Sequence, residues 1–248
     1  MRFAAIADIH GNAAALKAVL ADIAAQGIAP KNTVNLGDCF SGPLEATRVA
    51  VLLQSLDLFT VRGNHDRYLI EQRLEEMGPS DAHAFRQLSL EDLAWLKSLP
   101  FDAVFQNVAY LCHATPQDDN CYWLETVTPK GHVVLRGQAE IEAWAEGIEQ
   151  SLILCGHSHL PRVLALSDGR MIVNPGSVGC PAYDDDLQVP HRVEAGTPLA
   201  SYAICEQIDN GWVVNFRLIP YDHMSQSRLA MMNGRASWAA ALATGRLA

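Results

Sequence analysis

The sequence holds no apolar run near the roughly 18 residues that a membrane-spanning helix needs. It has no Cys-x-x-Cys pair. Its six cysteines, Cys39, Cys112, Cys121, Cys155, Cys180 and Cys205, follow no regular spacing. That excludes a disulfide framework and leaves them as small apolar residues in a reducing compartment. Cations are scarce, with 18 Lys and Arg against 28 Asp and Glu, a net charge of −10. A general nucleic-acid-binding surface is therefore not expected. The same charge does not exclude small phosphorylated substrates, because bound metal reverses the field locally. No repeat, low-complexity tract or linker divides the chain. The first ten residues break at Asp8 and do not read as a signal peptide, so the expected location is cytoplasmic, with no membrane partner.

What is present is apolar material, 49% of 248 residues, enough for one sizeable α/β domain spanning residues 1–248. Residues 2–7 read as a buried strand. Residues 13–25 read as a helix, with Leu16, Val19, Leu20 and Ile23 at helical spacing. Strands are expected at 33–36 and 56–61. Helices are expected at 44–55, 68–77 and 90–99, with Pro79 and Ser80 separating the last two. Residues 104–112 read as mostly strand, 140–150 as helix and 152–155 as a fully apolar strand. Strands at 163–166 and 171–173 flank a turn at Asp168-Gly169. A late hairpin, 201–206 with 212–219, turns at Asn210-Gly211. A C-terminal segment, about 223–248, reads as Ala-rich helix broken or bent at Gly234. Its apolar residues, including Leu229, Trp238 and Leu242, are expected to cover the domain or to pair with a second subunit in a homodimer. It follows every chemical motif, so no side chain in it is expected to be needed for chemistry.

The informative pattern is positional. Five times an apolar strand ends and Asp, Asn or His follows at once: Asp8-Ile9-His10, Gly37-Asp38, Gly63-Asn64-His65-Asp66, His113, and Gly156-His157-Ser158-His159. Sites in open α/β sheets form at the carboxyl ends of strands. Asp8, His10, Asp38, Asn64, His65, His113, His157 and His159 can therefore converge on one sheet edge. Gly63 points to a close backbone approach or an unusual φ. Each block alone has a structural reading: a helix cap at Asp8, a turn at Gly37-Asp38, a hydrogen-bonded core imidazole at His113, a turn at Asn174-Pro175-Gly176-Ser177. Two imidazoles at i, i+2 after a buried strand are more metal-like. The nitrogen- and oxygen-rich set suits manganese, iron or zinc and lacks a thiolate motif. Seven ligands exceed one tetrahedral ion and fit two ions about 3.5–4 Å apart sharing a carboxylate.

At these residues the chain resembles the calcineurin-like metallophosphoesterases. The blocks Asp-x-His, Gly-Asp, Gly-Asn-His-Asp, a lone His and Gly-His-x-His occur in that order from Asp8 to His159. Asp-Ile-His-Gly-Asn and the later Asn-Pro-Gly-Ser-Val-Gly resemble the small bacterial branch, with its YfcE-like and diadenosine tetraphosphate hydrolase-like members. The resemblance implies a four-layer αββα sandwich, two central mixed sheets flanked by helices. It implies that Asp8, His10, Asp38 and His159 hold one metal, and Asp38, Asn64, His113 and His157 the other. His65 would face the substrate as general acid, with Asp66 orienting it.

The implied reaction is hydrolysis of a phosphate ester, as phosphodiesterase or phosphatase, by a hydroxide shared between the metals. The alternative is a non-catalytic metal-binding interaction scaffold on the same fold. A scaffold does not need His65. Substrates compatible with the motifs are dinucleoside polyphosphates, other small phosphodiesters and phosphoproteins. Tyr122 and Trp123 can stack a base or pack a helix against the sheet. The stretch 181–198, with Asp184-Asp185-Asp186, departs from the simplest members and reads as a solvated loop.

Overall fold

The first strand, β1 (Arg2–Ile6), shows how the layers arise. Phe3 and Ala5 face one side, Ala4 and Ile6 the other, and all four are fully buried. A strand covered on both faces must lie between two layers. In the computed structural model, which describes residues 1–186 and 189–248, β1 leads into α1 (Ala13–Ala25), β2 (Thr33–Asn35), α2 (Ala46–Gln54) and β3 (Phe59–Thr60). Three helices follow: α3 (Asn64–Glu71), α4 (Pro79–Phe85) and α5 (Leu90–Ser98). Next come β4 (Asp102–Phe105), β5 (Ala109–Cys112), β6 (Glu125–Val127), β7 (Val133–Leu135), α6 (Gln138–Trp144) and β8 (Leu152–Leu154). The rest is β9 (Arg162–Ala165), β10 (Met171–Asn174), β11 (Ala182–Asp185), β12 (His191–Glu194), β13 (Ala200–Ile208), β14 (Gly211–Ile219), α7 (His223–Met232) and α8 (Ala236–Thr244).

Two five-stranded mixed sheets form, β14-β13-β1-β2-β3 and β4-β5-β8-β10-β9. Their inner faces meet through Phe3, Ala5, Val34 and Leu36 on one side and Leu111, Leu152, Leu154 and Val173 on the other. The outer face of the first sheet packs Ile6 against Leu16 and Val19 of α1 and Val49 of α2. The outer face of the second packs Ile153 and Ile172 against Ile141 of α6. This is the helix–sheet–sheet–helix sandwich that the motifs imply. Phe3 anchors its centre, 5.2 Å from the Phe105 ring and 5.9 Å from the Trp212 indole.

Several local expectations change. Residues 104–112 are two antiparallel strands, because Gln106 and Asn107 turn the chain in the left-handed region. The helix expected from 68 to 77 begins at Asn64 and ends at Glu71, so the Gly-Asn-His-Asp block is its first turn. Gly63 caps it, with φ −92°, and its amide donates to Asp66 Oδ2 at 3.1 Å. Pro79 does not separate helices; it opens α4. A proline costs nothing in a first turn, where its missing N–H has no partner. The stretch read as a solvated loop after Cys180 pairs as the β11–β12 hairpin, while Leu187 and Gln188 lie outside the described residues. Gly234, at φ 74°, divides α7 from α8 as expected. All six cysteines are free. Among the described residues no helix is long and apolar enough to cross a membrane.

Candidate metal centre

The sheets deliver their strand ends to one pole. β1 and β2 run parallel, as do β5 and β8. The loops after them are laced together by backbone bonds. The Asp8 amide donates to Gly37 O at 3.0 Å, the His10 amide to Asp38 O at 2.9 Å, and the Gly179 amide to Asp8 O at 3.0 Å. This lacing holds residues where they would not rest by themselves. Asp8, His10, Asp38, His157 and His159 all have φ between 51° and 67°. A left-handed residue other than glycine costs on the order of 1–2 kcal/mol, and such strain gathers at functional sites. Gly63 is required by close approach, not by φ. A Cβ there would lie 2.2 Å from Asp38 Oδ1.

All seven proposed ligands reach this pole. The ligand atoms of Asp8, His10 and His159 lie within 4.8 Å of one another, and so do those of Asp38, His113 and His157. Asp38 Oδ2 stands between the groups, 3.3 Å from His113 Nε2 and 3.8 Å from His10 Nε2. Asn64 Oδ1 is 3.0 Å from His113 Nε2.

The hydrogen-bond direction tests whether cations fit. Three rings place Nδ1 against a backbone carbonyl: His10 on Ser41 O at 2.7 Å, His113 on Leu36 O at 2.8 Å, His159 on Cys180 O at 2.7 Å. A carbonyl only accepts, so each Nδ1 carries a hydrogen and each ring turns Nε2 inward, where its neutral form offers a lone pair. The Nε2 atoms of His10 and His159 face each other at 3.1 Å. Asp8 Oδ1 is buried, 3.4 Å from His159 Nε2, and makes no hydrogen bond. Against burial, the Asp38 carboxylate raises His113 to about 9 and the Asp8 carboxylate raises His159 well above its ordinary 6.5, so the cluster draws positive charge, which divalent cations supply. Burial pushes His10 down to about 4 and His157 down to about 3, which keeps both rings neutral and able to ligate. Burial opposes the charge on Asp38, yet the nearby His113 and His65 hold its carboxyl well below the usual range.

His65 stands apart from both groups, its ring 5.6 Å from that of His10. Its Nδ1 is 2.8 Å from Asp81 Oδ1, on a carboxylate only 4% exposed. The expected orienting residue, Asp66, does something else. Its Oδ2 accepts from the amides of Asp38 (2.9 Å) and Gly63 (3.1 Å), and its Oδ1 from Cys39 (2.9 Å). As the third helical residue it faces back toward the β2 loop, away from the ring of its neighbour. Asp66 therefore braces two strand-end loops, and Asp81 orients His65. The Asn174 loop is likewise more than a turn: Ser177 Oγ donates to Asp8 O at 2.7 Å and Asn174 Nδ2 to Gly156 O at 2.7 Å.

A cavity of about 260 Å³ opens over these groups. On one wall Tyr183 of β11 lies 4.6 Å from the His159 ring, and its hydroxyl meets that of Tyr122 at 2.7 Å. Tyr122 packs 5.1 Å from the His157 ring, whereas Trp123 is buried in the core and stacks nothing. Asp184 and Asp185 line the mouth. Another expectation is corrected here: Arg235, Ser237 and Trp238, at the start of α8, also line the cavity. The C-terminal segment reaches the site because α8 packs on β11.

The model of the calcineurin-like phosphoesterase superfamily domain matches residues 1–189. The chain belongs to that superfamily. It is 28% identical over 193 residues to the uncharacterized protein MJ0912 of Methanocaldococcus jannaschii, covering 72% of this chain and 76% of that one. It is similar throughout to the crystal structure of a metallophosphoesterase from Sphaerobacter thermophilus, with 27% identity, 99% of each chain covered and a TM-score of 0.72. A diadenosine tetraphosphatase-like structure shares the fold alone, at 15% identity, a TM-score of 0.52, and 87% and 93% coverage. Membership of the calcineurin-like phosphoesterases implies divalent metal ions, and two His/Asp groups able to hold them are present. The family match ends before α7 and α8.

Proposed function

We propose that this chain is a dinuclear phosphoesterase in which Asp8, His10, Asp38 and His159 hold one ion and Asp38, Asn64, His113 and His157 the other. The observation that carries the reading is the convergence of imidazole Nε2 and carboxylate oxygen atoms around Asp38, in two groups whose ligand atoms lie within 4.8 Å of one another. Manganese, iron or zinc suits these nitrogen and oxygen donors. When bound, two such ions neutralise phosphoryl oxygens and acidify a water for attack on phosphorus. The protein's own part is positional. Asp81 holds Nδ1–H of His65 and leaves Nε2–H to face the leaving oxygen. Burial disfavours the charged ring, but in the field of the protein's own groups Asp38 and Asp81 outweigh it and raise His65 to about 9. Asp66 keeps the Asp38 and Gly63 loops in register. The substrate is a small phosphorylated compound that fits the cavity.

The test is hydrolysis of bis-p-nitrophenyl phosphate by the manganese-loaded protein, with metal content measured alongside. Two ions per chain with turnover supports the reading. Two ions without turnover of this or any phosphate ester favours the scaffold, although a scaffold has no use for the His65–Asp81 pair.

A further inference from the structure

The wall built by α8 contains what the family motifs do not supply. Among the described residues Arg235 is the single arginine or lysine lining the cavity. Its Nη1 donates to Ser80 Oγ at 2.9 Å. Three other partly buried guanidinium groups hold carboxylates, Arg67 with Asp119 at 2.7 Å, Arg162 with Glu125 at 2.7 Å and Arg217 with Asp22 at 2.6 Å, whereas Arg62, which does not line the cavity, holds none among the described residues. Asp81 and Asp184 are near enough to act on Arg235 electrostatically. Neither makes an ion pair with it, and among the described residues no carboxylate does. A guanidinium without a carboxylate, facing a cavity, is suited to an oxyanion such as phosphate.

A second observation points the same way. Ser41 lines this cavity, is 1% exposed, and its Oγ has no hydrogen-bond partner. Buried hydroxyls are nearly always paired, so this one is free to meet a group that enters the cavity. Trp238, half-buried, completes the wall, 6.0 Å from the His10 ring. Gly42 makes room for it: a Cβ there would lie 3.3 Å from Trp238 Cη2 and 2.4 Å from His10 O.

These residues sit on the His65 side. The Gly42 amide donates to Ser80 O at 3.3 Å, and Ser80 precedes Asp81, the partner of His65. In the proposed reaction that is where the leaving group departs. We infer that Arg235 and Ser41 form a leaving-group subsite, walled by Trp238, for a departing group that itself carries a phosphate. The favoured substrates are then phosphoanhydrides, more than esters of a neutral alcohol or phenol. In the reaction the water oxygen forms the new P–O bond, and the water proton goes to solvent. The bridging P–O bond breaks with its electron pair on the departing phosphate, whose oxygen takes the His65 proton. Arg235 meets the charge that the departing phosphate carries.

This inference rests on the phosphoesterase reading, and its test separates the two. Manganese-loaded wild type, Arg235→Ala and Arg235→Lys are compared on ADP and p-nitrophenyl phosphate. In ADP the departing group carries a phosphate whichever phosphorus is attacked. The selectivity ratio, kcat/KM for ADP over that for p-nitrophenyl phosphate, should fall roughly 10- to 100-fold in Arg235→Ala, the range of a charge-assisted hydrogen bond. Arg235→Lys should recover part of it, with two metals per chain throughout. An unchanged ratio, whether both rates fall together or neither falls, overturns the inference. If wild type hydrolyses neither compound, no ratio is read, and the phosphoesterase reading fails only where bis-p-nitrophenyl phosphate is not hydrolysed either. The subsite is then judged by calorimetric binding of α,β-methylene-ADP. Binding weakened at least 10-fold in Arg235→Ala supports it, and smaller weakening overturns it.

Discussion

Asp22 and Asp38 each gather polar groups around the first sheet, with opposite balance. Asp22, on α1, accepts from Arg217 Nε at 2.6 Å, Arg217 Nη2 at 2.9 Å and the Tyr202 hydroxyl at 2.5 Å. Every acceptor there has a donor, and the backbone is ordinary helix. Asp38 sits at φ 55°, its Oδ1 accepting from the His65 amide at 3.0 Å and its Oδ2 facing the Nε2 atoms of His113 and His10. Both clusters are charged and tied into the fold. Only the second combines strained backbone with unmet demand for positive charge. That combination marks a site more reliably than the number of charged residues.

The largest effect expected is at the centre of the unmet demand. Asp38→Asn should strip metal from both groups and abolish activity, leaving the sandwich folded. Plasma emission measures the metal, and a variant that keeps two ions per chain would remove Asp38 from its bridging place. Next comes His65→Ala, which should keep both ions and lose activity by roughly 10²–10⁴-fold. A fall in metal stoichiometry would make His65 a ligand.

The third test separates two neighbouring carboxylates. Asp81→Asn should lower kcat by roughly 10- to 100-fold with both metals retained, because it loosens the tautomer and pose of His65. Asp66→Asn should act mainly on stability. Its side chain holds the amides of Asp38, Cys39 and Gly63, and weakening those bonds costs about 1–3 kcal/mol. For a chain of this size that is a melting-point loss of roughly 2–12 °C. The opposite pattern, kcat lost in Asp66→Asn and melting point lost in Asp81→Asn, would restore Asp66 as the partner of His65.

These two carboxylates also show where sequence reading stops. The metal-centre residues are legible because each follows an apolar strand, and strand ends share a pole by topology. The alternation of Phe3 and Ala5 against Ala4 and Ile6 is legible for a related reason, since a sheet side chain has only two directions. Asp66 reads as the partner of His65 because it is adjacent, but adjacency on a helix turns side chains apart. Asp81 lies 16 positions from His65, within a helix hidden by its own proline. The available signal was Gly-Pro-Ser-Asp, a helix start with proline in its first turn. Arg235 and Trp238 carry no local signal, because only the packing of α8 on β11 brings them to the cavity.

The smallest effect belongs to the balanced cluster. The hydrogen bond from Arg217, with help from Tyr202 and against burial, holds the Asp22 carboxyl below its ordinary 3.8. A carboxylate lowered on folding stabilises the native state above its unfolded pKa, and that stability is lost as pH falls through the folded value. Arg217 is about one-third exposed, so solvent screens the pair. Arg217→Met should therefore cost about 0.5–1 kcal/mol at pH 7, with metal content and kcat unchanged. The deficit should shrink as pH falls below 3.8, where Asp22 takes up a proton even without its partner. Urea midpoints of both proteins at pH 7 and at about pH 3 read this difference. A deficit of equal size at both values would assign the stabilisation to packing of the Arg217 stem. A loss of metal in this variant would show that the two clusters are coupled through α1, and the contrast between them would no longer hold.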